Sequence, residues 1–183
     1  MTRQHIVAPG IYAPAAGVHA ARLGDALHTA GILPLDGDGR VVGKGDIVAQ
    51  TVRVYENLDA ILDAAGLTWA DAVKVNHYVA APLAMRESVE RAVAARHCYL
   101  TPGAYAGLSV PLGAPDPEVL LAVELVAHAE VAKDAISGVG GLPAARGCAH
   151  AVKAGGTLYM SGQLPVDAAA AAAAEGDLTA QAD

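Results

Sequence analysis

The opening residues alternate between apolar and polar side chains with a period of two. The alternation spans residues 19–34 and is interrupted by Gly24 and Asp25. A period of two indicates strands with one buried face, and a Gly-Asp pair between two such runs predicts a tight β-hairpin. Residues 1–14 contain Pro9, Gly10 and Pro14 but no such alternation, so we expect an irregular lead there.

Two later stretches follow the helical period instead. In residues 46–65 the apolar positions recur at three- and four-residue spacing, with Asp46 placed to cap the start and Gly66 placed to end the helix. A second helix is predicted over residues 83–96. The alternating stretches 72–79, 104–112 and 119–129 are predicted strands.

The predicted element order is β-β-α-β-α-β-β. Amphipathic helices beside strands with one buried face favour an α/β (α+β) fold with two layers, in which both helices cover one face of a mixed sheet.

The C-terminal part repeats the opening of the chain. Three segments recur in one register, offset by 131 residues (150 against 19): those beginning at His19 and His150, at Ala30 and Ser161, and at Gly45 and Gly176. Three matches at one offset indicate an internal duplication. We therefore predict a first domain at 1–133, a linker at 134–142, and a partial second copy at 143–183 that contains only the opening hairpin. Without helices of its own, that copy must pack on the first domain, pair with another subunit or stay partly disordered.

Composition narrows the function classes. Hydrophobic residues make up 54% of the chain, much of it alanine, whereas aromatics are 4% and the formal charge is −7. The basic residues are scattered, which disfavours nucleic-acid binding. There is no signal segment and no apolar run of membrane-spanning length, so we expect a cytoplasmic protein without membrane contact. Cys98 and Cys148 form no metal-binding or disulfide motif, and no ligand cluster has metal spacing, so neither a metal nor another cofactor is expected.

Several motifs together resemble the Rid family (YjgF/YER057c/UK114) over about residues 13–130. The resembling segments are Gly24 to Asp36 with Gly31 and Pro34, Gln50 and Thr51 at the helix start, Asn57 and Leu58 in mid-helix, Ala65 and Gly66 at its end, and residues 122–127 in the closing strand. The second copy retains Ser161, Gly162 and Gln163, which are closer to the family's Ser-Gly-Gln than Ala30, Gly31 and Ile32 are.

The resemblance implies a chorismate-mutase-like fold, a homotrimer with clefts between subunits, and a small-molecule substrate. Many members hydrolyse reactive imines or enamines, using an arginine to clamp the substrate carboxylate, a strand glutamate to position water and a loop tyrosine to close the cleft. In this chain Ala104 stands where that arginine is expected and Ala122 replaces the first strand glutamate, while Glu124 matches the second. No tyrosine stands at the expected place in the loop around residues 14–19.

These matches define the candidate site. Glu124 and Tyr105 are the candidate catalytic residues, although a strand glutamate or tyrosine can equally serve structure. The candidate substrate-binding residues are Thr29, Ala30, Gly31, Gly103, Ala104 and Arg146. Arg146 belongs to the loop that opens the second copy, and we hypothesise that it supplies the missing cation.

Three functions stay open at this point. The first is a divergent Rid-type enzyme acting on a small imine, enamine or carbonyl compound in a cleft between subunits. The second is a non-catalytic module that binds a small metabolite or a partner, which the loss of the arginine and one glutamate favours. The third is a ribonuclease, which the acidic balance and the few aromatic residues count against.

Overall fold

The computed structural model describes residues 3–13, 17–80, 94–96, 98–111, 116–129, 132–138, 140 and 147–163. It contains nine strands and one long helix within these ranges. They are β1 (Arg3–Ile6), β2 (Ala20–Leu23), β3 (Ala26–Thr29), α1 (Ile47–Ala64), β4 (Ala72–Val79), β5 (Ala106–Pro111), β6 (Leu121–His128), β7 (Lys133–Ile136), β8 (Ala151–Ala154) and β9 (Thr157–Met160). A 3₁₀ turn, Trp69–Asp71, precedes β4.

The strands form two sheets. The larger has the order β1-β2-β3-β6-β4-β5, and the smaller has the order β7-β8-β9. Strands β4 and β5 are parallel, whereas the other pairs are antiparallel. This mixed sheet confirms the predicted fold class, and the hairpin of β2 and β3 turns at Gly24 and Asp25 as predicted.

Helix α1 begins and ends at the predicted signals. The Asp46 carboxylate accepts hydrogen bonds from the backbone N–H groups of Val48 (2.9 Å) and Ala49 (3.2 Å), which satisfies donors that the first turn leaves free. Gly66 follows the helix with φ of 68°, a left-handed conformation that glycine adopts without strain. The helix packs its buried side, including Val54, Leu58 and Ile61, onto one face of the large sheet.

That packing divides the large sheet into a covered face and an open face. Along β6, Val123, Leu125 and Ala127 are buried in the core shared with α1. Because successive strand residues point to opposite faces, Glu124 and Val126 project from the open face. The open face therefore carries the only candidate catalytic carboxylate that the sequence analysis named.

Three parts of the chain differ from the predicted elements or lie outside what is described. Residues 3–6, predicted as irregular, form edge strand β1. Residues 134–136, assigned to the linker, lie in β7. The predicted second helix falls outside the described residues except for 94–96, which are helical.

Strands β7, β8 and β9 form a three-stranded meander, of which β8 and β9 belong to the predicted second copy. Strands β8 and β9 lie at the positions of β2 and β3 shifted by 131 residues (151 against 20 and 157 against 26). We call β1-β2-β3 the first meander and β7-β8-β9 the second meander. The division into 1–133, 134–142 and 143–183 remains a prediction. Among the helices described, none is long and apolar enough to cross a membrane.

Candidate functional site

Glu124 lies at the centre of a polar cluster on the open face of the sheet. Strand β6 pairs with β4 in a register that places Glu124 opposite Asn76. The Tyr78 hydroxyl donates a hydrogen bond to Glu124 Oε2 at 2.7 Å, and Asn76 Nδ2 lies 3.4 Å from the same oxygen. All three residues are half-buried, so the carboxylate is held in a fixed position without being sealed from solvent.

The carboxylate changes the acid–base character of Tyr78. Its hydrogen bond from the hydroxyl is the main cause of a raised Tyr78 pKa, and partial burial and the negative charge add to the effect. Ionising the phenol would break that bond and bring two anions together. The pair is therefore a carboxylate with a neutral phenol donor, an arrangement that can orient a water and accept a proton from it.

Three of the predicted substrate-binding residues lie beside the part of β6 that contains Glu124. The Thr29 hydroxyl accepts a hydrogen bond from the Leu125 backbone N–H at 2.9 Å. Ile32 exchanges two backbone hydrogen bonds with Val123. Ala30 and Gly31, between these anchors, therefore run alongside the segment that carries Glu124.

Ala30 and Gly31 also line a pocket of about 150 Å³. Tyr12, His19 and Asn57 contribute its polar groups. His19 is buried, with Nδ1 accepting from the Ala8 N–H at 2.9 Å and Nε2 lying 3.0 Å from the Tyr12 carbonyl. Those two bonds fix a neutral imidazole protonated at Nε2, so His19 holds the Tyr12 loop in place.

Sequence reasoning missed Tyr12 and the partners of Glu124. Tyr12 lies before the loop in which a tyrosine was sought. Its ring packs against Gly39 so closely that a Cβ added to that glycine would lie 2.7 Å from the ring. For Asn76 and Tyr78 a signal existed, because two polar residues at alternate positions of β4 must share a face.

The structure does not bring Tyr105 together with Glu124. Tyr105 precedes β5 and is buried in the core on the covered face, near Tyr55 and Cys148. Burial is the main cause of its raised pKa, against which the Arg96 charge acts. Tyr105 therefore cannot donate to the Glu124 carboxylate in this arrangement.

His77 is a second buried polar group on the covered face. Its Nε2 lies 2.9 Å from the Tyr55 hydroxyl. Burial, followed by the Arg96 charge, lowers the pKa of His77 to about 3. This neutral histidine is bonded within the core, in keeping with the structural role that a lone strand histidine usually has.

Gly103 and Ala104 lie in the turn before β5. In the sheet, β4 separates β5 from β6, the strand that carries Glu124. The Gly103 N–H donates to the Gly147 carbonyl at 3.0 Å, and Ala104 lines a depression of about 240 Å³ with Tyr105 and Lys133. Arg146 lies outside the described residues, so its proposed contact with the cleft stays a prediction. Within the described ranges there is no group of three or more His, Cys, Asp or Glu residues that could hold a metal ion.

Ser161 and Gly162, in the predicted second copy, dock against β5. Ser161 Oγ accepts from the Gly107 N–H at 2.9 Å, and the Gly162 N–H donates to the Gly107 carbonyl at 2.9 Å. Leu108, the next residue of β5, pairs with Asn76 of β4. The docked segment thus borders the open face one strand away from Asn76.

Comparison with known proteins now identifies the family. The family model described as Endoribonuclease L-PSP matches residues 8–129, more than half of the 183-residue chain. The chain belongs to the Rid family. The 3-aminoacrylate deaminase RutC of Acinetobacter baylyi is 32% identical over 129 residues, covering 70% of this chain and 99% of that protein.

Two further proteins resemble this chain, the first in sequence and the second in fold. A RutC family protein of Pyrococcus abyssi is 43% identical over 60 residues, 33% of this chain. The chain spans about half the length of that relative, 47%. The crystal structure of the Rid-family protein YyfA of Yersinia pestis, described as of unknown function, has a TM-score of 0.61 at 24% identity, covering 69% of this chain and 99% of YyfA. The last likeness shows the fold alone.

Proposed function

We propose that this chain is a divergent Rid-type enzyme that hydrolyses a small imine or enamine to a carbonyl compound and ammonia. The observation that carries the proposal is the Glu124–Tyr78 pair on the open face, with a 2.7 Å hydrogen bond. The relationship to a protein named 3-aminoacrylate deaminase supports this class of substrate.

The proposed reaction uses the pair as a water-activating group. Glu124 orients a water and accepts one of its protons as the oxygen bonds to the imine carbon. The same proton then reaches the nitrogen, which gives a carbinolamine. Glu124 next takes the second water proton from the new hydroxyl and passes it to the nitrogen as the carbon–nitrogen bond breaks, so that the carbonyl forms and ammonia leaves. Tyr78, as a neutral donor, keeps the Glu124 carboxylate in place.

A substrate with a carboxylate would be difficult for this site to bind. Ala104 stands where the family's arginine clamp is expected, and a carboxylate bound without a partner cation is costly to desolvate. We therefore expect either a substrate with no carboxylate or a cation from elsewhere, for which Arg146 remains the hypothesis. Ala30 and Gly31, which run alongside the β6 segment that carries Glu124, are the proposed substrate-binding segment.

A second candidate is a non-catalytic small-molecule-binding or interaction module. The observation that favours it is the replacement of two functional positions by alanine, Ala104 and Ala122. The pocket beside Tyr12, Ala30 and Gly31 would then be the binding site, and Glu124 would be a structural partner of Tyr78 and Asn76.

Hydrolysis assays distinguish the two candidates. The intact chain is incubated with enzymatically generated 2-aminoacrylate and, separately, with 3-aminoacrylate, and keto product and ammonia are measured. We expect acceleration over the spontaneous rate, at least a tenfold loss in Glu124→Gln, and no loss in Glu56→Gln, the same change on the exposed side of α1. No acceleration with either compound, nor with an imine that has no carboxylate, would favour the binding module, and equal activity in Glu124→Gln would remove Glu124 from the mechanism.

The homotrimer and the cytoplasmic location remain predictions for this chain. The resemblance implies the first and composition the second. The mass of the purified protein in solution tests the trimer directly, and the location needs detection of the protein in cell fractions.

A further inference from the structure

The two meanders have the same strand register. Arg3 pairs with Leu23 at one end of β1-β2, and Lys133 pairs with Ala154 at the same end of β7-β8. The closing backbone bonds also match: the Ala30 N–H donates to the His19 carbonyl, and the Ser161 N–H donates to the His150 carbonyl, both at 2.8 Å. The second meander is thus a structural counterpart of the first.

The two meanders bury opposite sides. The first packs its inner side, with Leu27, against α1 and leaves Leu23 on its outer side 43% exposed. The second does the reverse: Val152 and Ala154, at the outer positions, are 0% and 1% exposed. Both sides of this three-stranded unit therefore carry apolar residues, and each of the two meanders buries a different side.

The second meander docks on a defined part of the open face. Val152 and Ala154 pack with Val73, Ala106 and Val126, which we call the docking surface. Ala149 and Gly162 add backbone hydrogen bonds of 2.9 Å to Tyr105 and Gly107. Lys133 donates to the carbonyls of Ala70 and Ala72 at the far end.

The outer side of the first meander carries the same features. Arg3 holds the register position of Lys133, so a cation is available for the same carbonyls. Ala21 holds the position of Val152, and Leu23 holds the position of Ala154. The total side-chain volume is nearly the same, because the first residue is smaller than its counterpart and the second is larger.

A glycine is also shared where the docked backbone passes close to a ring. Gly155 has φ of 54°, and a Cβ there would lie 2.6 Å from the His128 ring. Its counterpart 131 residues earlier (155 against 24) is Gly24, with φ of 62°. The first meander can therefore make the same close approach.

We propose that the outer side of the first meander is an interface for the docking surface of a second copy of this chain, and that the chain's own second meander occupies that surface in its place. The surface holds one meander at a time. The second meander has the advantage, because it is tethered to the surface and thus present at high effective concentration. It also brings the Ser161 hydroxyl, where the first meander has Ala30.

The proposal does not depend on the proposed hydrolysis, and it bears directly on assembly. With the docking surface filled within the chain, the head-to-tail contact between copies is blocked. We therefore expect the intact chain to have the mass of one copy, 18.4 kDa, in contrast to the homotrimer that the resemblance implies.

The test releases the second meander in the full-length chain and measures the mass by light scattering and sedimentation. Val152→Glu places a charge against Val73 and Ala106, whereas Lys153→Glu, on the exposed neighbour, is the matched control. We expect Val152→Glu to at least double its mass as concentration rises, Lys153→Glu to keep the mass of one copy, and Val152→Glu with Leu23→Glu to return to it. Hydrogen exchange at the Gly162 amide reports whether the second meander has been released.

A second variant addresses the chance that a buried charge disturbs the whole fold. Gly155→Leu opposes docking through contact with His128 and leaves the sheet surface unchanged, and we expect the same rise in mass. Release without any rise in mass would overturn the proposal, as would an association that Leu23→Glu leaves intact. Loss of the fold in both variants would also overturn it, because the second meander would then be part of the core and not a replaceable occupant.

Discussion

Leu27 and Leu158 hold equivalent positions in the two meanders, yet Leu27 is 0% exposed and Leu158 is 52% exposed. The difference arises because α1 covers Leu27 and nothing in the described part of the chain covers the same side of the second meander. Identical residues in equivalent strands thus have unequal energetic roles, which mutation can measure.

We expect Leu27→Ala to lower the free energy of unfolding by about 2–5 kcal/mol, since it empties a closely packed site. Leu158→Ala should change it by less than about 0.5 kcal/mol, because the side chain is half in solvent. Urea denaturation of the two variants beside the unaltered chain gives both values. Equal losses would mean that the inner side of the second meander is covered in solution.

The His77–Tyr55 pair makes stability depend on pH. The folded pKa of His77, about 3, lies below its ordinary 6.5, so below pH 6.5 the unfolded chain binds a proton that the folded chain does not. Stability from this group is therefore present at neutral pH and is lost as the pH falls from 6.5 towards 3, with a slope of up to about 1.4 kcal/mol per pH unit.

Comparison of variants separates the contribution of His77 to the pH dependence of stability from the contribution of the carboxylates, which also titrate. Between pH 7 and pH 5 we expect the unaltered chain to lose about 2 kcal/mol more than His77→Gln does. His5→Gln, which removes an exposed histidine, should keep the pH dependence of the unaltered chain. The same slope in His77→Gln as in the unaltered chain would mean that His77 is protonated in the folded state.

The local signals of the sequence predicted the elements better than they predicted the site. Asp46 and Gly66 act on their own helix ends, so α1 follows from nearby residues alone. Strand β1 has a different origin: Arg3, Gln4 and His5 lie at the sheet edge, where polar residues are tolerated on both sides and the alternation is lost. Only pairing with β2 makes these residues a strand.

Tyr105 shows why the site could not be completed from sequence. Its predicted place assumed that β5 begins at residue 104, whereas the strand begins at Ala106. A residue before the strand does not follow the alternation, and the turn directs Tyr105 into the core. Glu124, in contrast, lies within β6, where alternation between Val123 and Leu125 determines its side.

The Tyr78–Glu124 hydrogen bond should be visible in the titration of the phenol. Glu124→Gln removes the negative charge and the strong acceptor, so the pKa of Tyr78 should fall towards its ordinary 10.0. Absorbance at the phenolate band, followed as pH rises in both proteins, measures the change. In a Tyr78→Phe background the substitution of Glu124 should leave the titration curve unchanged, and a shift that persists there would assign the effect to another tyrosine.

Gln50 connects the start of α1 to the segment that leads into β6. Its Nε2 donates to the carbonyls of Gly43 (3.2 Å) and Glu118 (2.7 Å), and its Oε1 accepts from the Leu120 N–H at 2.8 Å. The side chain is fully buried, so water cannot replace these bonds without opening the structure. Gln50→Leu keeps the approximate size but removes the partner of the Leu120 N–H and of the Glu118 carbonyl, whereas the Gly43 carbonyl keeps its bond from the Asp46 N–H.

We expect Gln50→Leu to lower the free energy of unfolding by about 2–4 kcal/mol, because each buried group without a partner costs about 1–3 kcal/mol. Gln163→Leu, on an exposed side chain, should change it by less than about 0.5 kcal/mol. Amide exchange at Leu120 should accelerate in Gln50→Leu alone, since that N–H loses its acceptor. Unchanged exchange at Leu120 would mean that the backbone there is held by other contacts, and that Gln50 does not fix the segment from which β6 presents Glu124.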